Sequence, residues 1–394
     1  MMMRSIRILT LALFTILVSQ VCVEGTEIKV CCVGEESYYY CQQMIEAFFG
    51  AEPVEDDDGR RKLMDGHLTW SCVMPGGEGA TSDDDGRRRN LLSQGSVLEM
   101  IENGDCNFGM DMDAHDVYDA NKEFGWEAIA GEDYGAGEGL TYYGVAVVPT
   151  EVCEANPNVS LADFRGMRSC HTGYKRTSGW TIPLATIIAM DQEEMGMDAL
   201  QSMTDYEVML DFFPEQCTAG PPADAPQEVQ DAMCKNCIGD CQRGDGEPYM
   251  GYVGSLRCLM EGAGDIGFMK QSTPLDYAAD GNTPEDWATM NMADLKLVCP
   301  DGGCAAPEDY NTCNYARIPS HMVAAAGDLP IDEIKSIFME AASSEDWQLW
   351  MANAKNSALV NSRAEGYVPI EEDTITYMGQ LTNVYSILEE LGFY

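Results

Sequence analysis

Hydroxyl, glycine and cationic residues are concentrated in the segment SCHTGYKRTSGW, residues 169–180, which leads into the apolar run WTIPLATIIAM. A strand that ends near Ser169 and a helix that begins near Thr177 would leave unpaired N–H groups at the helix N-terminus, and such groups attract anions. Thr172 can donate a hydroxyl, and Arg176 offers a planar fork that suits an oxyanion. The segment predicts an anion-binding loop; the alternative is a capped helix whose arginine lies in solvent.

The elements that would position this loop alternate between strands and helices. Residues 26–50 read as a strand, EIKVCCVG, followed by a helix, SYYYCQQMIEAFFG. Later elements are indicated by TYYGVAVVP, by the loop with its own helix, and by MGYVGSLRCLMEGAGDIGFMK. Such alternation predicts an α/β fold whose layers have a mainly parallel core.

The N-terminal residues have the pattern of a secretory signal peptide. Arg4 and Arg7 precede a short apolar segment in MMMRSIRILTLALFTILVSQ, and small residues follow near Gly25. We therefore predict a signal peptide over residues 1–25 and a secreted, extracellular protein. No later run approaches the length of a membrane span, so none is expected in the mature chain. The net charge of −43 argues against nucleic acid or an anionic membrane as a partner.

The cysteine content predicts a disulfide framework. Of sixteen cysteines, Cys22 would leave with the signal peptide, and the odd remainder of fifteen requires at least one free or intermolecular thiol. Residues 215–250 are rich in Pro, Gly and Cys, and they include the cluster Cys234, Cys237 and Cys241. The spacing of CKNC suits a zinc knuckle, but in an exported chain two local disulfides are favoured.

A polar near-repeat lies between the first helix and the rest of the chain. DDDGRR occurs at residues 56–61 and again at 83–88. Charge runs of this kind are typical of solvated loops, and a processing site at the paired arginines is the alternative interpretation.

Several segments carry a resemblance to one family. SCHTGYKRTSGWTIP resembles the anion-binding segment of the transferrin family, and KVCCVGEESYYYCQQM is similar to its first strand and helix. TYYGVAVV resembles its hinge strand, while MGYVGSLRCLMEGAGDIGFMK and CNYARIPSH are similar to further signature segments, all in the family's order. The matched segments amount to a single lobe, which also resembles the algal phytotransferrins.

The resemblance implies a fold and a domain division. The expected fold is a two-domain transferrin lobe, similar to a periplasmic binding protein, with a cleft between the domains. One domain would comprise residues 26–141 plus 320–394, and the other residues 142–319. Ligands from both domains would then meet in the cleft, and metal binding would favour its closure.

Taken position by position, the resemblance implies ferric iron bound together with a synergistic carbonate. The implied metal ligands are Asp113, Tyr142, Tyr252 and His321. The implied carbonate-binding residues are Thr172, Arg176, Ser178 and Gly179. Fe³⁺ is a hard cation that prefers phenolate and carboxylate oxygens to thiolates. Four protein donors leave two octahedral positions, which a bidentate carbonate fills.

Each ligand also has a plainer interpretation. Asp113 lies in the acidic run DMDAHDVYD, where an aspartate is usually solvated or capping, and Asp111 or Asp116 could be confused with it. Tyr142 and Tyr143 are adjacent on a strand and point to opposite faces, so one of them is expected in a core. A lone tyrosine or histidine elsewhere is more often structural. It is the joint occurrence of all four types in family contexts that favours iron.

The family's paired lysines, which assist iron release in acid, are represented here only by Lys270. Asn361 of ALVNSRAEG stands at the second position. Because a neutral amide does not repel a protonated lysine, we expect this acid trigger to be missing.

The resemblance also implies disulfide pairings. The implied pairs are Cys41–Cys72, Cys170–Cys258, Cys217–Cys237, Cys234–Cys241 and Cys299–Cys313. It leaves five cysteines unassigned, namely Cys31, Cys32, Cys106, Cys153 and Cys304.

The function predicted from the sequence is extracellular binding of ferric iron with carbonate, for uptake, transport or sequestration, with no enzymatic activity. A cell-surface receptor is a candidate partner. The alternatives are a hydrolase built on the same scaffold and a metal-free lobe that binds another protein. The sequence contains neither GxSxG nor HExxH, which disfavours the hydrolase.

Overall fold

The computed structural model of the chain describes residues 26–49, 54–55, 61–62, 68–74, 95–135, 139–355, 357 and 359–393. The predicted signal peptide lies outside these residues, as do both DDDGRR repeats apart from Arg61. The strands are β1 Thr26–Cys31, β2 Val54–Glu55, β3 Arg61–Lys62, β4 Leu68–Val73, β5 Phe108–Met112, β6 Trp126–Asp133, β7 Thr141–Pro149, β8 Arg168–Cys170, β9 Glu215–Cys217, β10 Ile266–Lys270, β11 Leu295–Val298, β12 Cys304–Ala305, β13 Ala316–Pro319, β14 Met322–Ala326 and β15 Gly366–Pro369.

The helices pack on two large sheets. They are α1 Glu35–Phe48, α2 Gly95–Glu102, α3 Ala114–Phe124, α4 Thr150–Ala155, α5 Ile182–Met195, α6 Met197–Leu200, α7 Asp205–Phe212, α8 Gln227–Met233, α9 Gly251–Met260, α10 Ser272–Tyr277, α11 Ile331–Ala342, α12 Glu345–Ala354, α13 Thr374–Met378 and α14 Gln380–Glu390. Short 3₁₀ segments span Leu161–Phe164, Met292–Asp294 and Pro307–Asp309, and a π-helical turn spans Thr177–Thr181. The strand and helix predicted at β1 and α1, the strand predicted at β7 and the helix predicted after the loop, α5, are confirmed.

The first sheet has the strand order β15-β6-β14-β5-β1-β4, and the second has β12-β11-β7-β10-β8-β9 with β13 paired to β7. Every strand of the first sheet comes from residues 26–133 or from residues 322–369. Every strand of the second comes from residues 141–319. This mixed α/β architecture with two sheets is that of a two-domain transferrin lobe. The residue bounds of the two domains stay a prediction.

The prediction of a mainly parallel core is wrong. β1 runs parallel to β4 and β5, and β8 runs parallel to β9 and β10. The strands next to the crossings between the sheets are antiparallel, since β7 pairs this way with β10, β11 and β13, and β14 with β5 and β6. Parallel neighbours need a long, usually helical connection that returns the chain to the same sheet, whereas the two residues between β13 and β14 carry the chain from one sheet to the other.

Alternation along β7 shows why the second sheet is covered on both faces. Ala146 and Val148 pack into a core with Trp180 and Phe212, whereas Val145 and Val147 pack into a second core against α9 and β11. A continuous apolar run such as VAVV is what a strand buried on both faces requires. The core therefore fixes the register of the strand that carries Tyr142.

Seven disulfides join the described residues. All five pairs implied by the family resemblance are present, and two more connect Cys31 to Cys106 and Cys153 to Cys304. The zinc-knuckle alternative fails because Cys234 and Cys237 are both consumed by disulfides. Cys32 is the free thiol that the odd count predicted, and it is fully buried. Within the described part of the chain, no helix is both long and apolar enough to cross a membrane.

Candidate metal and anion site

One cleft of about 400 Å³ gathers most of the predicted site residues. Its lining includes six of the eight, namely Asp113, Tyr142, Thr172, Arg176, Tyr252 and His321. Ser178 and Gly179 do not line it; they are buried at the start of the helix behind Thr172. Three further cations, Lys175, Lys270 and Arg363, also line the cleft of this strongly acidic protein.

The anion loop joins β8 to α5 through the π-helical turn. The first N–H groups to bond within this turn are those of Trp180, 2.7 Å from the Arg176 carbonyl, and Thr181, 3.1 Å from the same oxygen. The N–H groups of residues 177–179 precede these bonds, so they are the unpaired donors that a helix start provides. This is the geometry that the sequence predicted for the loop.

Gly179 allows the helix start to lie directly against Thr172. A Cβ atom added at Gly179 would lie 2.0 Å from Thr172 Oγ1 and 2.6 Å from Thr172 N, so no other residue fits there without a backbone shift. The hydroxyls of Thr172 and Ser178 are buried and have no hydrogen-bond partner among the described residues. Buried polar groups are normally satisfied, and these two hydroxyls belong to the loop that the sequence predicts to bind an anion.

His171 is buried behind the anion loop and forms hydrogen bonds through both ring nitrogens. Its Nδ1 lies 2.6 Å from the Gly179 carbonyl, and its Nε2 lies 2.8 Å from the Ser169 hydroxyl. A carbonyl only accepts, so Nδ1 carries the proton and Nε2 accepts from Ser169. Burial lowers the pKa of His171 to about 4, because this site disfavours the charged imidazolium. His171 therefore stays neutral and holds the Gly179 carbonyl in place.

The two tyrosines come from different elements and meet edge to face. The ring centroids of Tyr142, on β7, and Tyr252, at the start of α9, are 6.4 Å apart. Burial and the neighbouring Tyr252 raise the pKa of Tyr142 well above its usual value. Tyr143 points away and contacts Tyr310. Of the adjacent pair, Tyr142 is therefore the residue in the cleft.

Asp113 is the N-cap of α3. Its Oδ1 accepts from the N–H groups of His115, at 2.9 Å, and Asp116, at 3.0 Å. The capping interpretation and the cleft-lining position are thus both correct, because an N-cap side chain sits at the very end of its helix. Asp116 is buried within α3, and burial followed by the charge of Asp113 raises its pKa to about 8.

His321 lies in the two-residue link between β13 and β14, and its main partner is Asp111. His321 Nδ1 is 2.5 Å from Asp111 Oδ1, and the His321 N–H donates to the Tyr134 hydroxyl at 2.9 Å. Burial lowers the pKa of His321, but the hydrogen bond and charge of Asp111, with Glu132 behind it, outweigh this and raise it to about 9.

Two acidic residues of this network were missed as site residues by the sequence reasoning. Asp111 was named only as a residue that could be confused with Asp113, although its φ of 51° makes it an unusual residue at the end of β5. Glu132 is fully buried on β6, and burial followed by the charge of Asp111 raises its pKa to about 7. Ligand atoms of Asp111, Glu132 and His321 lie within 4.8 Å of one another. No signal in the sequence pairs residues so far apart.

Asn361 belongs to the histidine network. Its Nδ2 lies 3.3 Å from His321 Nδ1 and 3.4 Å from Asp111 Oδ1, and its Oδ1 accepts from the Arg363 N–H at 3.2 Å. The Arg363 guanidinium carbon lies 4.3 Å from the ring centroid of Tyr134 and 5.9 Å from that of Tyr142. Lys270 Nζ is 5.5 Å from the ring centroid of Tyr252. Cationic side chains thus lie beside both cleft tyrosines.

The comparison with known proteins identifies the family. The sequence profile of the Transferrin family matches residues 93–387, which is well over half of the chain. The chain belongs to the transferrin family.

Among individual relatives, melanotransferrin of Oryctolagus cuniculus is 33% identical over 281 residues, which is 67% of this chain and 36% of the relative. Human melanotransferrin is 28% identical over 391 residues, covering 95% of this chain and 46% of the relative. Otolith matrix protein 1 of Oncorhynchus mykiss is 34% identical over 240 residues, covering 57% and 62% respectively. The chain spans less than two thirds of each of these relatives.

Proposed function

We propose that this protein binds ferric iron together with carbonate in the cleft between its two sheets. The observation that carries the proposal is the meeting of Asp113, Tyr142, Tyr252 and His321 around the same cleft as the anion loop. These residues come from α3, β7, α9 and the β13–β14 link, so only the folded chain brings them together.

The donor set has the chemistry that ferric iron requires. One carboxylate and two phenolates are hard oxygen donors, and one imidazole completes the protein ligands. The carbonate would occupy the anion loop, held by Arg176, by the Thr172 hydroxyl and by the N–H groups at the helix start. The unpartnered hydroxyls of Thr172 and Ser178 support this assignment.

Iron binding in this site must displace protons. Tyr142 has a raised pKa, and the pKa of His321 is raised to about 9, so both residues are protonated in the metal-free protein at neutral pH. Metal ligands bind in their deprotonated forms, so binding releases protons and acid opposes it. We propose that acidification releases the iron through these groups.

The proposed biological role is supported by the disulfides. Seven disulfides are typical of a chain that folds in an oxidising compartment, which supports secretion as proposed from the sequence. We propose extracellular iron uptake, transport or sequestration without enzymatic activity, with a cell-surface receptor as the partner class. Residues of the cleft have binding roles in this proposal, and none is assigned a reaction step.

The test is a titration of the metal-free protein with ferric nitrilotriacetate, with and without bicarbonate. We expect a visible phenolate-to-iron absorption band that saturates at one iron per chain and depends on bicarbonate. A band that forms equally well without bicarbonate contradicts the carbonate assignment. The absence of any band contradicts iron binding and favours the metal-free lobe.

Tyrosine variants test the ligand assignment within the same titration. Tyr252→Phe removes one phenolate and should abolish the visible band or shift it strongly. Tyr143→Phe is the matched control, because Tyr143 neighbours Tyr142 on β7 but contacts Tyr310 instead of the cleft. An unchanged spectrum and affinity in Tyr252→Phe would show that this residue is not a ligand.

A further inference from the structure

The disulfide-rich stretch 215–250 has no place in the ligand set, yet it packs directly against the anion loop. The Tyr174 N–H donates to the Ala219 carbonyl at 3.0 Å, and the His171 N–H donates to the Cys217 carbonyl at 3.0 Å. A Cβ atom added at Gly173 would lie 3.3 Å from the Ala219 carbonyl, so the two segments are in close contact. The stretch therefore supports the loop from outside the cleft.

Arg243 is the side chain by which this stretch holds the loop. Its Nη2 donates to the Tyr174 carbonyl at 2.6 Å. Tyr174 precedes Lys175, which has a left-handed φ of 54°, and Arg176 follows. Fixing the Tyr174 carbonyl thus fixes the peptide from which the chain turns toward the guanidinium proposed to bind the anion.

Arg243 also adds a second positive charge beside the anion loop. Its stem lies against Gly220, where an added Cβ atom would lie 2.6 Å from Arg243 Cγ, and the preceding residue, Ala219, contacts Gly173 of the loop. Burial and the positive charge of Arg176 lower the pKa of Arg243. Neither guanidinium has an ion pair with an acidic residue in the described part of the chain. Two neighbouring cations without acidic partners raise the local attraction for an anion.

The segment that presents Arg243 is held firmly. The carboxylate of Glu247 accepts the N–H groups of Gly239 at 2.9 Å, Cys241 at 3.1 Å and Tyr249 at 3.0 Å. The disulfide between Cys234 and Cys241 closes the same turn, and the Gly220 N–H donates to the Cys241 carbonyl at 2.8 Å. Arg243, two residues after Cys241, therefore extends from a turn that hydrogen bonds and a disulfide hold in place.

We propose that Arg243 is a second arginine beside the anion loop, outside the cleft lining, which positions the loop through the Tyr174 carbonyl and adds its charge to that of Arg176 for a small oxyanion. This rests on the proposed function for the identity of the anion, but anion binding itself can be measured without iron. The disulfide-rich stretch then has a role, since it is the support that carries this arginine.

The test measures binding of inorganic phosphate, as an oxyanion probe, to the metal-free protein by tyrosine ultraviolet difference spectroscopy. We expect Arg243→Gln to weaken phosphate binding by about threefold to tenfold, the loss typical of one hydrogen bond. Arg176→Ala should weaken it at least as much. Arg243→Lys should recover part of the loss, because it restores the charge without the fork. Lys235→Gln removes the same charge from the same exposed stretch and should change nothing.

The bicarbonate dependence of iron binding provides the second measurement. The bicarbonate concentration for half-maximal visible band should rise in Arg243→Gln by a similar factor. The proposal is overturned if Arg243→Gln and Lys235→Gln bind phosphate equally, or if the parent protein binds no phosphate. A parent that binds phosphate with the expected variant order but forms no iron band would reject the proposed function and leave the second arginine supported.

Discussion

The two sides of the cleft each hold a histidine, and the two histidines are in opposite electrostatic states. His171 lies under the anion loop among apolar groups and a carbonyl, and its pKa is lowered to about 4. His321 faces Asp111, with Glu132 and Asp113 nearby, and its pKa is raised to about 9. His171 is therefore neutral and supports the loop, whereas His321 is protonated and pairs with Asp111.

This difference extends to the hydrogen-bond partners on the two sides of the ligand-free cleft. On the side proposed to bind the anion, the hydroxyls of Thr172 and Ser178 have no hydrogen-bond partner among the described residues. On the side proposed to bind the metal, His321 and Asp111 are already paired with each other. In the proposed function, iron would therefore compete with a proton, whereas the anion would meet hydroxyls that lack partners. Each of the following variants changes a residue on one side of the cleft.

Gly179→Ala should have the largest effect, because it closes the anion side. The new Cβ would lie 2.0 Å from Thr172 Oγ1 and 2.6 Å from its backbone nitrogen, so the helix start and the loop must separate. We expect loss of the bicarbonate-dependent iron band and a loss of about 1–3 kcal/mol in stability, as for an overpacked core. Gly366→Ala is the control, since nothing lies within 4 Å of a Cβ there. Normal iron binding by Gly179→Ala would contradict the close packing of this loop.

His171→Gln should flatten the acid side of the stability profile. A histidine whose pKa falls from 6.5 to about 4 on folding stabilises the fold above pH 6.5, and this contribution disappears as the pH falls toward 4. The contribution is at most about 3 kcal/mol. Urea unfolding of the metal-free protein at pH 7 and pH 4.5 measures it. Equal losses in the parent and the variant would show that His171 is not held neutral.

His321→Gln should reduce the loss of stability that the parent protein shows at alkaline pH. Because its folded pKa lies near 9, above 6.5, His321 stabilises the fold fully below pH 6.5, and this is lost as the pH rises through 9. A quarter of the side chain is exposed, so water screens the pair and we expect no more than about 2 kcal/mol. Urea unfolding at pH 6 and pH 9.5 tests this, with His115→Gln as control. A variant as sensitive to alkali as the parent would contradict the charged pair with Asp111.

Lys270→Gln should have the smallest effect. Asn361 stands at the second lysine position of the family and contacts Asp111 and His321, so the family's pair of lysines is not formed here. Stepwise acidification with a chelator, followed by loss of the visible band, should give nearly the parent release profile. A large shift would mean that Lys270 repels another cation, and Arg363, which also lines the cleft, would be the first candidate.

The local geometry of the anion loop was easier to predict from the sequence than the contacts of His321, for a physical reason. The anion loop is local: Thr172, Arg176 and Gly179 lie within eight residues, and a strand, a turn and a helix start determine their geometry. The contact between Asp111 and His321 spans 210 positions. Likewise, the disulfides left unassigned join cysteines 75 and 151 positions apart. Such pairs depend on how the sheets close, which no short motif encodes.

The strand directions failed for a related reason. Alternating strands and helices predict parallel pairing only when each helix returns the chain to the same sheet. Here β13 passes into β14 of the other sheet through Ser320 and His321 alone. The same connection places His321, a proposed metal ligand, between the sheets.

Cys32 gives this protein a built-in probe of its own breathing. It is the free thiol of the described residues, it lies in the core of the first sheet, and burial raises its pKa to about 12. A reagent that needs a thiolate cannot reach it in the closed structure, so its modification rate counts how often this core opens. Its sulfur lies within 4.8 Å of the disulfide between Cys41 and Cys72, which ties α1 to β4 of this sheet. If Cys32 is modified more slowly once a ligand occupies the cleft, then the bound ligand reduces the opening of the core of the first sheet. This measurement needs no attached label.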